Sequence, residues 1–235
     1  MFGKLILFPV PIGAEDVAQS LPEYNLGLLA ECEVFVVEEL RSARRFLRRA
    51  GYPKPIDDVT FFVLNEHTRP EETSHYLDPI FEGRNVGLLS EAGLPCVADP
   101  GAMLTAEAQR RGVEVVPLVG PSSLMLALMA SGLNGQCFAF NGYLPVDRAE
   151  RTRALHRLEE RARREGQTQL FIEAPYRNNQ LLEAMCRDLR PDTRVCVAVD
   201  LTLPTQVVRT LTCAEWRTRR TEIDLHKRNT VFLIG

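Results

Sequence analysis

Twelve residues, Ser90–Gly101, read SEAGLPCVADPG and hold two Gly, two Pro and two acids, Glu91 and Asp99. They follow the apolar run NVGLL and precede the helical pattern AMLTAEAQRRG. A strand that passes through a Gly/Pro turn into a helix is where open α/β sheets hold ligands. The loop matches neither G-x-x-x-x-G-K-[ST] nor G-x-G-x-x-G, and it has no Lys or Arg. Its acids would repel phosphate and suit a ligand with cationic or hydroxyl groups. The same composition also serves a purely structural turn, and the pattern by itself leaves both open.

Other strand ends carry chemistry too. In VVEELR (36–41), Glu38 and Glu39 are candidate general bases at the C-terminal end of a predicted strand. Alternation along a strand points them to opposite sides, one toward a cleft and one toward the next helix. The plainer reading is a capping acid with a salt bridge. In PVPIGAED (9–16), Pro9, Pro11 and Gly13 allow a tight turn with exposed backbone. In PLVGPSS (117–123), Ser122 opens a helix whose amides and hydroxyls face outward. In FIEAPYRN (171–178), Tyr176 beside Arg177 pairs a stacking surface with a phosphate partner. S-adenosylmethionine, with an amine, a sulfonium, ribose hydroxyls and no phosphate, has the chemistry that the acidic loop accepts.

Three Arg clusters stand out: 41–49, 148–164 and 217–220. On a helix Arg41, Arg44, Arg45, Arg48 and Arg49 share one broad face able to neutralise nucleic-acid phosphates. In the second cluster Glu159–Arg163 and Glu160–Arg164 are spaced i,i+4, so a solvated, internally paired face is expected there. Lys occurs only at 4, 54 and 227, and Arg forks suit planar anions better than Lys does.

The elements that must position these groups alternate. Strands are predicted at KLILFPV, EVFVVEE, VTFFVL, RNVGLLS and VEVVPL, with helices between, one of them at PEETSHYLDPIF opened by Pro70. Continuous apolar strands alternating with helices indicate a mostly parallel sheet covered on both faces. After VGPSS the rhythm changes. The strand-like runs RVCVAVDL, QVVRTLT and NTVFLIG follow one another with little helix between, which predicts a mixed sheet. The expected organisation is two α/β domains, residues 1–117 and 118–235.

Composition sets outer bounds. The chain has 235 residues, 45% hydrophobic and 25% charged, with formal net charge −3. That excludes a uniformly basic nucleic-acid coat but not a local basic face. No apolar run reaches a membrane span, and the N-terminal run lacks a signal-peptide pattern, so a cytoplasmic protein is expected. The six Cys form no C-x-x-C pair and no His cluster has ligand spacing, so no metal site is expected and the thiols are expected buried and reduced.

Taken in order, PVPIGAED, VVEELRSARRFL, LNEHT, VGLLSEAGLPCVADPG, VVPLVGPSSLMLALMASGL, FAFNGYLP and FIEAPYRN resemble the ribosomal RNA small-subunit methyltransferase I family. That family lies within the S-adenosylmethionine-dependent tetrapyrrole methylase superfamily. The resemblance runs from about residue 5 to 180. It implies a homodimer of tetrapyrrole methylase-like fold, with a cofactor cleft between the two domains of each chain, that methylates a ribose 2′-hydroxyl of a cytidine in small-subunit rRNA. It places Pro11 in the first cofactor loop, Ala92, Gly93, Leu94 and Val97 in the second, Ser122 and Ser123 in the third, and Glu173 over the cofactor. Arg41, Arg44, Arg45, Tyr176 and Arg177 are the expected RNA contacts. The chain departs from the family where T-P-I-G-N, A-E-D-T-R and S-D-A-G-T-P become VPIGA, VEELR and SEAGLP, losing hydroxyls at Leu40 and Leu94. Those losses keep two other readings open: a methylase of a tetrapyrrole or other small molecule, and a non-catalytic S-adenosylmethionine-binding module.

Overall fold

The computed structural model describes residues 2–13, 16–65, 67–69 and 72–235. The chain folds as two compact units, Met1–Ser122 and Ser123–Gly235.

The first unit is built on a five-stranded sheet. Its strands are β1 (Leu5–Phe8), β2 (Cys32–Val37), β3 (Thr60–Val63), β4 (Asn85–Leu89) and β5 (Val115–Pro117), in the order β3-β2-β4-β1-β5. Every pair is parallel. Successive side chains alternate between two cores. Leu5, Val34, Val36, Val86 and Leu88 pack with Leu104 and Ala108 on one face. Ile6, Phe8, Phe35 and Val37 pack with Leu29 and Leu47 on the other. Burial on both faces is why these strands read as unbroken apolar runs. Gly87 is set by the second core: a Cβ there would lie 2.5 Å from the Phe35 ring.

The covering helices are α1 (Glu23–Leu29), α2 (Leu40–Arg49), α3 (Asp78–Phe81) and α4 (Gly101–Arg110). The helix expected over PEETSHYLDPIF is shorter, a single 3₁₀ turn at Ser74–Leu77 leading into α3. Pro70 and Glu71, its expected opening, lie outside the described residues. Strand β2 stops at Val37, so strand alternation does not set the directions of Glu38 and Glu39.

The second unit starts with α5 (Ser123–Ser131) and carries β6 (Phe138–Tyr143), α6 (Arg148–Glu165), β7 (Thr168–Ile172) and α7 (Asn178–Asp188). It ends with β8 (Arg194–Val199), β9 (Val207–Thr212), α8 (Cys213–Arg219) and β10 (Thr230–Ile234). The sheet order is β6-β7-β10-β8-β9; β6 and β7 are parallel and the other pairs antiparallel, the mixed sheet the pattern predicts. Its main core joins Leu155, Leu158, Leu182, Met185 and Trp216 to Phe171, Val197 and Phe232.

Two details of this unit differ from expectation. Helix α8 interrupts the expected run of strands, and it is announced by a capping box: Thr212 Oγ1 accepts from Glu215 N while Glu215 accepts from Thr212 N. In α6 the Glu160–Arg164 pair forms at 3.7 Å, but Glu159–Arg163 does not. Glu159 is buried and accepts from Arg190 N at 2.8 Å and from Thr193 Oγ1, leaving Arg163 to pair with Asp192 at 3.3 Å. A buried carboxylate takes fixed donors over an exposed guanidinium, because unmet burial costs more than a lost surface pair.

All six cysteines are free thiols. Cys32, Cys186, Cys196 and Cys213 are buried, and Cys96 and Cys137 are half-buried. Burial pushes the thiols of Cys32 and Cys213 up to about 12 and that of Cys196 to about 11.

Candidate functional site

Because β2, β4, β1 and β5 are parallel neighbours, their C-terminal ends lie in a row and so do the loops that leave them. The loops after β1 and β4 are joined: Val10 N donates to Gly93 O at 2.9 Å and Gly93 N to Val10 O at 3.1 Å. Gly93 has φ +78°, and a Cβ there would lie 3.2 Å from Ile12 Cγ2 and 3.4 Å from Pro121 O. The third loop closes on the first, since a Cβ on Gly120 would fall 2.1 Å from Pro9 Cβ. Glycine at 93 and 120 therefore lets three loops meet at one edge of the sheet.

Within Ser90–Gly101 the two acids divide their roles. Asp99 Oδ1 accepts from Cys96 N at 3.1 Å and Gly101 N at 2.7 Å, so it holds its own loop together. Burial raises its carboxyl above the ordinary value despite those bonds. Cys96 and Ala98 take left-handed φ of +69° and +56°, conformations that such internal bonds sustain. Ser90 Oγ donates to Gly93 O at 3.0 Å. Glu91 is the exposed acid, and it accepts from Ser42 Oγ of α2 at 2.7 Å.

That bond ties the loop to α2 across a pocket of about 260 Å³. Pro11 and Ile12 form one wall, Ser90, Glu91 and Ala92 a second, and Ser42, Arg45, Phe46 and Arg49 a third. At 100° per residue those four helix positions share one face, with Ala43 at its buried edge also touching the pocket, while Leu47 turns to the core. The expected Arg contacts therefore separate. Arg45 lines the pocket. Arg44 instead lies over the Phe61 ring at 5.6 Å, and Arg41 is not among the pocket residues. Arg49 takes the place expected of Arg44, and its i,i+4 spacing from Arg45 is the signal that points to it. Arg48 and Arg49 also suit the negative end of the helix dipole.

Glu39 is the N-cap of α2. Its oxygens accept from Arg41 N at 2.8 Å and Ser42 N at 2.7 Å. These backbone bonds hold its carboxyl below the ordinary value. A group with a depressed folded-state pKa adds stability that is present above its unfolded pKa and lost as pH falls through the folded one. The acid side of a melting-temperature profile is therefore expected to flatten in Glu39→Gln, with a lower plateau at neutral pH. An unchanged profile would contradict the cap's contribution. Glu38, half-buried, sits between the strand and this cap.

The other expected site residues fall as follows. Leu94 is half-buried and Val97 is 45% exposed in the turn after Gly93. Ser122 immediately precedes α5, and Ser123 is its first residue. In the second unit Glu173 is buried beyond the end of β7. Its Oε1 accepts from Arg177 Nε at 3.0 Å, Arg177 Nη2 at 2.6 Å and Ala174 N at 2.7 Å. Its Oε2 is buried and has no partner among the described residues. Arg177 also donates from Nη1 to Tyr176 Oη at 3.0 Å and sits 5.1 Å from that ring's centroid. The guanidinium expected to meet phosphate is thus engaged with a carboxylate and a phenol. Tyr176 itself remains 60% exposed.

The family described as Tetrapyrrole (Corrin/Porphyrin) Methylases matches residues 15–216. The chain is a member of the tetrapyrrole methylase family. Within it this methylase belongs with ribosomal RNA small subunit methyltransferase I. It is 30% identical to that protein of Vibrio cholerae, over 98% of this chain and 76% of the relative. It is 32% identical to that of Pseudomonas aeruginosa, over 91% and 71%. The tetrapyrrole methylase fold is shared with the crystal structure of the methyltransferase CobJ. The TM-score there is 0.65 at 19% identity, covering 99% of this chain and 94% of the other. Uroporphyrin-III-C-methyltransferase from Thermus thermophilus gives 0.55, also at 19% identity, covering 100% and 93%. This methylase therefore has the fold the motifs implied. Among its described residues no helix is long and apolar enough to cross a membrane.

Proposed function

We propose that this methylase transfers a methyl group from S-adenosylmethionine to the ribose 2′-hydroxyl of a cytidine in 16S ribosomal RNA. The observation that carries the reading is the pocket with one acidic wall and one basic wall. On the loop side Glu91 accepts a single hydrogen bond among the described residues, and a carboxylate has capacity for more. On the helix side Arg45 and Arg49 face the same space. An amine- and hydroxyl-bearing donor fits the first wall, and an RNA phosphate fits the second. The unpartnered Oε2 of Glu173 is a further acceptor that a ligand amine or hydroxyl would satisfy.

S-adenosylmethionine would supply a methyl group activated on a sulfonium. Pro11, Ala92, Gly93, Leu94, Val97, Ser122, Ser123 and Glu173 are the residues proposed to hold it. The protein's task is then to align an acceptor oxygen with that methyl, so positioning dominates. Of the expected RNA contacts Arg41, Arg45 and the exposed Tyr176 are kept in the proposal, Arg45 having the geometry for it, whereas Arg44 lies over Phe61 and Arg177 is held by Glu173. A ribose hydroxyl is a poor nucleophile and gains from a general base. We assign that role to Glu38 for its place, half-buried where β2 runs out into the row of ligand loops, whereas Glu39 is the N-cap of α2. The proposed working state is a homodimer acting on small ribosomal subunits in the cytoplasm.

The test uses S-adenosylmethionine labelled in its methyl group and small subunits from a strain lacking this gene. Label is expected in the rRNA. Label that enters no RNA, or enters a tetrapyrrole instead, would overturn the substrate while leaving the methylase fold intact.

A further inference from the structure

Helix α6 carries seven arginines, beginning with Arg148 at its first position, and the structure sorts the rest. Arg153, Arg163 and Arg164 pair with Glu150, Asp192 and Glu160, and Arg151 donates to Val146 O. Arg157 and Arg161 have no ion-pair or hydrogen-bond partner among the described residues. They stand one turn apart on one face of the helix, where two like charges repel. A second pocket, of about 320 Å³, is lined by both arginines together with Asn141, Tyr143, Pro145 and Leu158. Tyr143 is 63% exposed, so its ring is open to a stacking partner. Asn141 is held in place by 3.2 Å bonds to Leu170 O and Gln169 Oε1.

We propose that this pocket of the second unit is a nucleotide-binding subsite for single-stranded RNA. Arg157 and Arg161 take successive or bridging phosphates, and Tyr143 offers its ring to an unstacked base. Two adjacent uncompensated arginines are matched by phosphates two charges at a time, and the forked donors suit that geometry. An exposed ring beside them is the arrangement by which single strands are held without sequence readout. The inference rests on the rRNA reading for its physiological ligand, but the site's chemistry can be tested without it.

The experiment compares the wild-type protein with Arg157→Gln/Arg161→Gln and with Tyr143→Ala. It measures binding of a short fluorescent single-stranded RNA across a salt series. The exposed positions should leave melting temperature and S-adenosylmethionine binding unchanged, which shows the variants are folded. The double variant is expected to bind RNA about tenfold more weakly at low salt, with a log–log salt slope shallower by about 1.4. Tyr143→Ala is expected to lower affinity with the slope retained. Label transfer to small subunits should show a raised KM and a preserved kcat. Unchanged RNA affinity and slope in the double variant, or equal affinity of wild type for polyglutamate, would overturn the subsite. If the subsite behaves as expected but rRNA takes no label, the subsite stands and the rRNA reading falls.

Discussion

Glu38→Gln is expected to lower kcat by a factor on the order of 10² to 10⁴, with cofactor binding unchanged. The effect follows from what its neighbour already does. Glu39 spends both oxygens on the first turn of α2 and titrates below the ordinary carboxylate range, so it is a weak base. Glu38 is the half-buried carboxylate where β2 meets the row of ligand loops. Gln keeps its shape and removes its basicity. Glu39→Gln should instead change stability more than turnover. Full turnover by Glu38→Gln would leave positioning as the protein's contribution and remove the general base from the account.

Arg177→Met is expected to destabilise the second unit by about 3 kcal/mol, measured by denaturant unfolding. Three donors converge on Glu173 Oε1, two of them from Arg177, and the Glu173 side chain is fully buried. Met retains the packing of the stem but leaves a buried carboxylate with one backbone N–H. The figure sits at the low end for broken buried pairs because Arg177 keeps about a fifth of its side chain in water. Removing the carboxylate as well, in Glu173→Leu/Arg177→Met, should restore most of the loss. That double variant also separates two roles. If Glu173 Oε2 meets the cofactor, the restored protein binds S-adenosylmethionine more weakly than wild type. Wild-type binding by the double variant would make the pair structural alone.

The turns that leave the sheet were legible because their residues are constrained locally. Gly93 and Gly120 sit where loops pass within touching distance, and continuous apolar strands could only belong to a sheet buried on both faces. The division of labour between neighbours was not legible. Glu38 against Glu39 depended on where β2 stops, and strand and helix ends are set by tertiary pairing. Glu91 and Asp99 look alike in sequence, yet one bonds its own loop and the other reaches α2. Arg44 and Arg45 are adjacent, and 100° of helix sends one to Phe61 and the other to the pocket. Helix α8 was readable in principle from Thr212-x-x-Glu215, but a seven-residue helix has too little periodicity to announce itself.

The most direct test is nucleoside mass spectrometry of 16S rRNA from a strain with and without this gene. The account predicts one 2′-O-methylcytidine that disappears on deletion and returns with the wild-type gene, but returns poorly with Glu38→Gln. Identical ribose methylation in both strains, or a lost methyl that maps to a base, would contradict it.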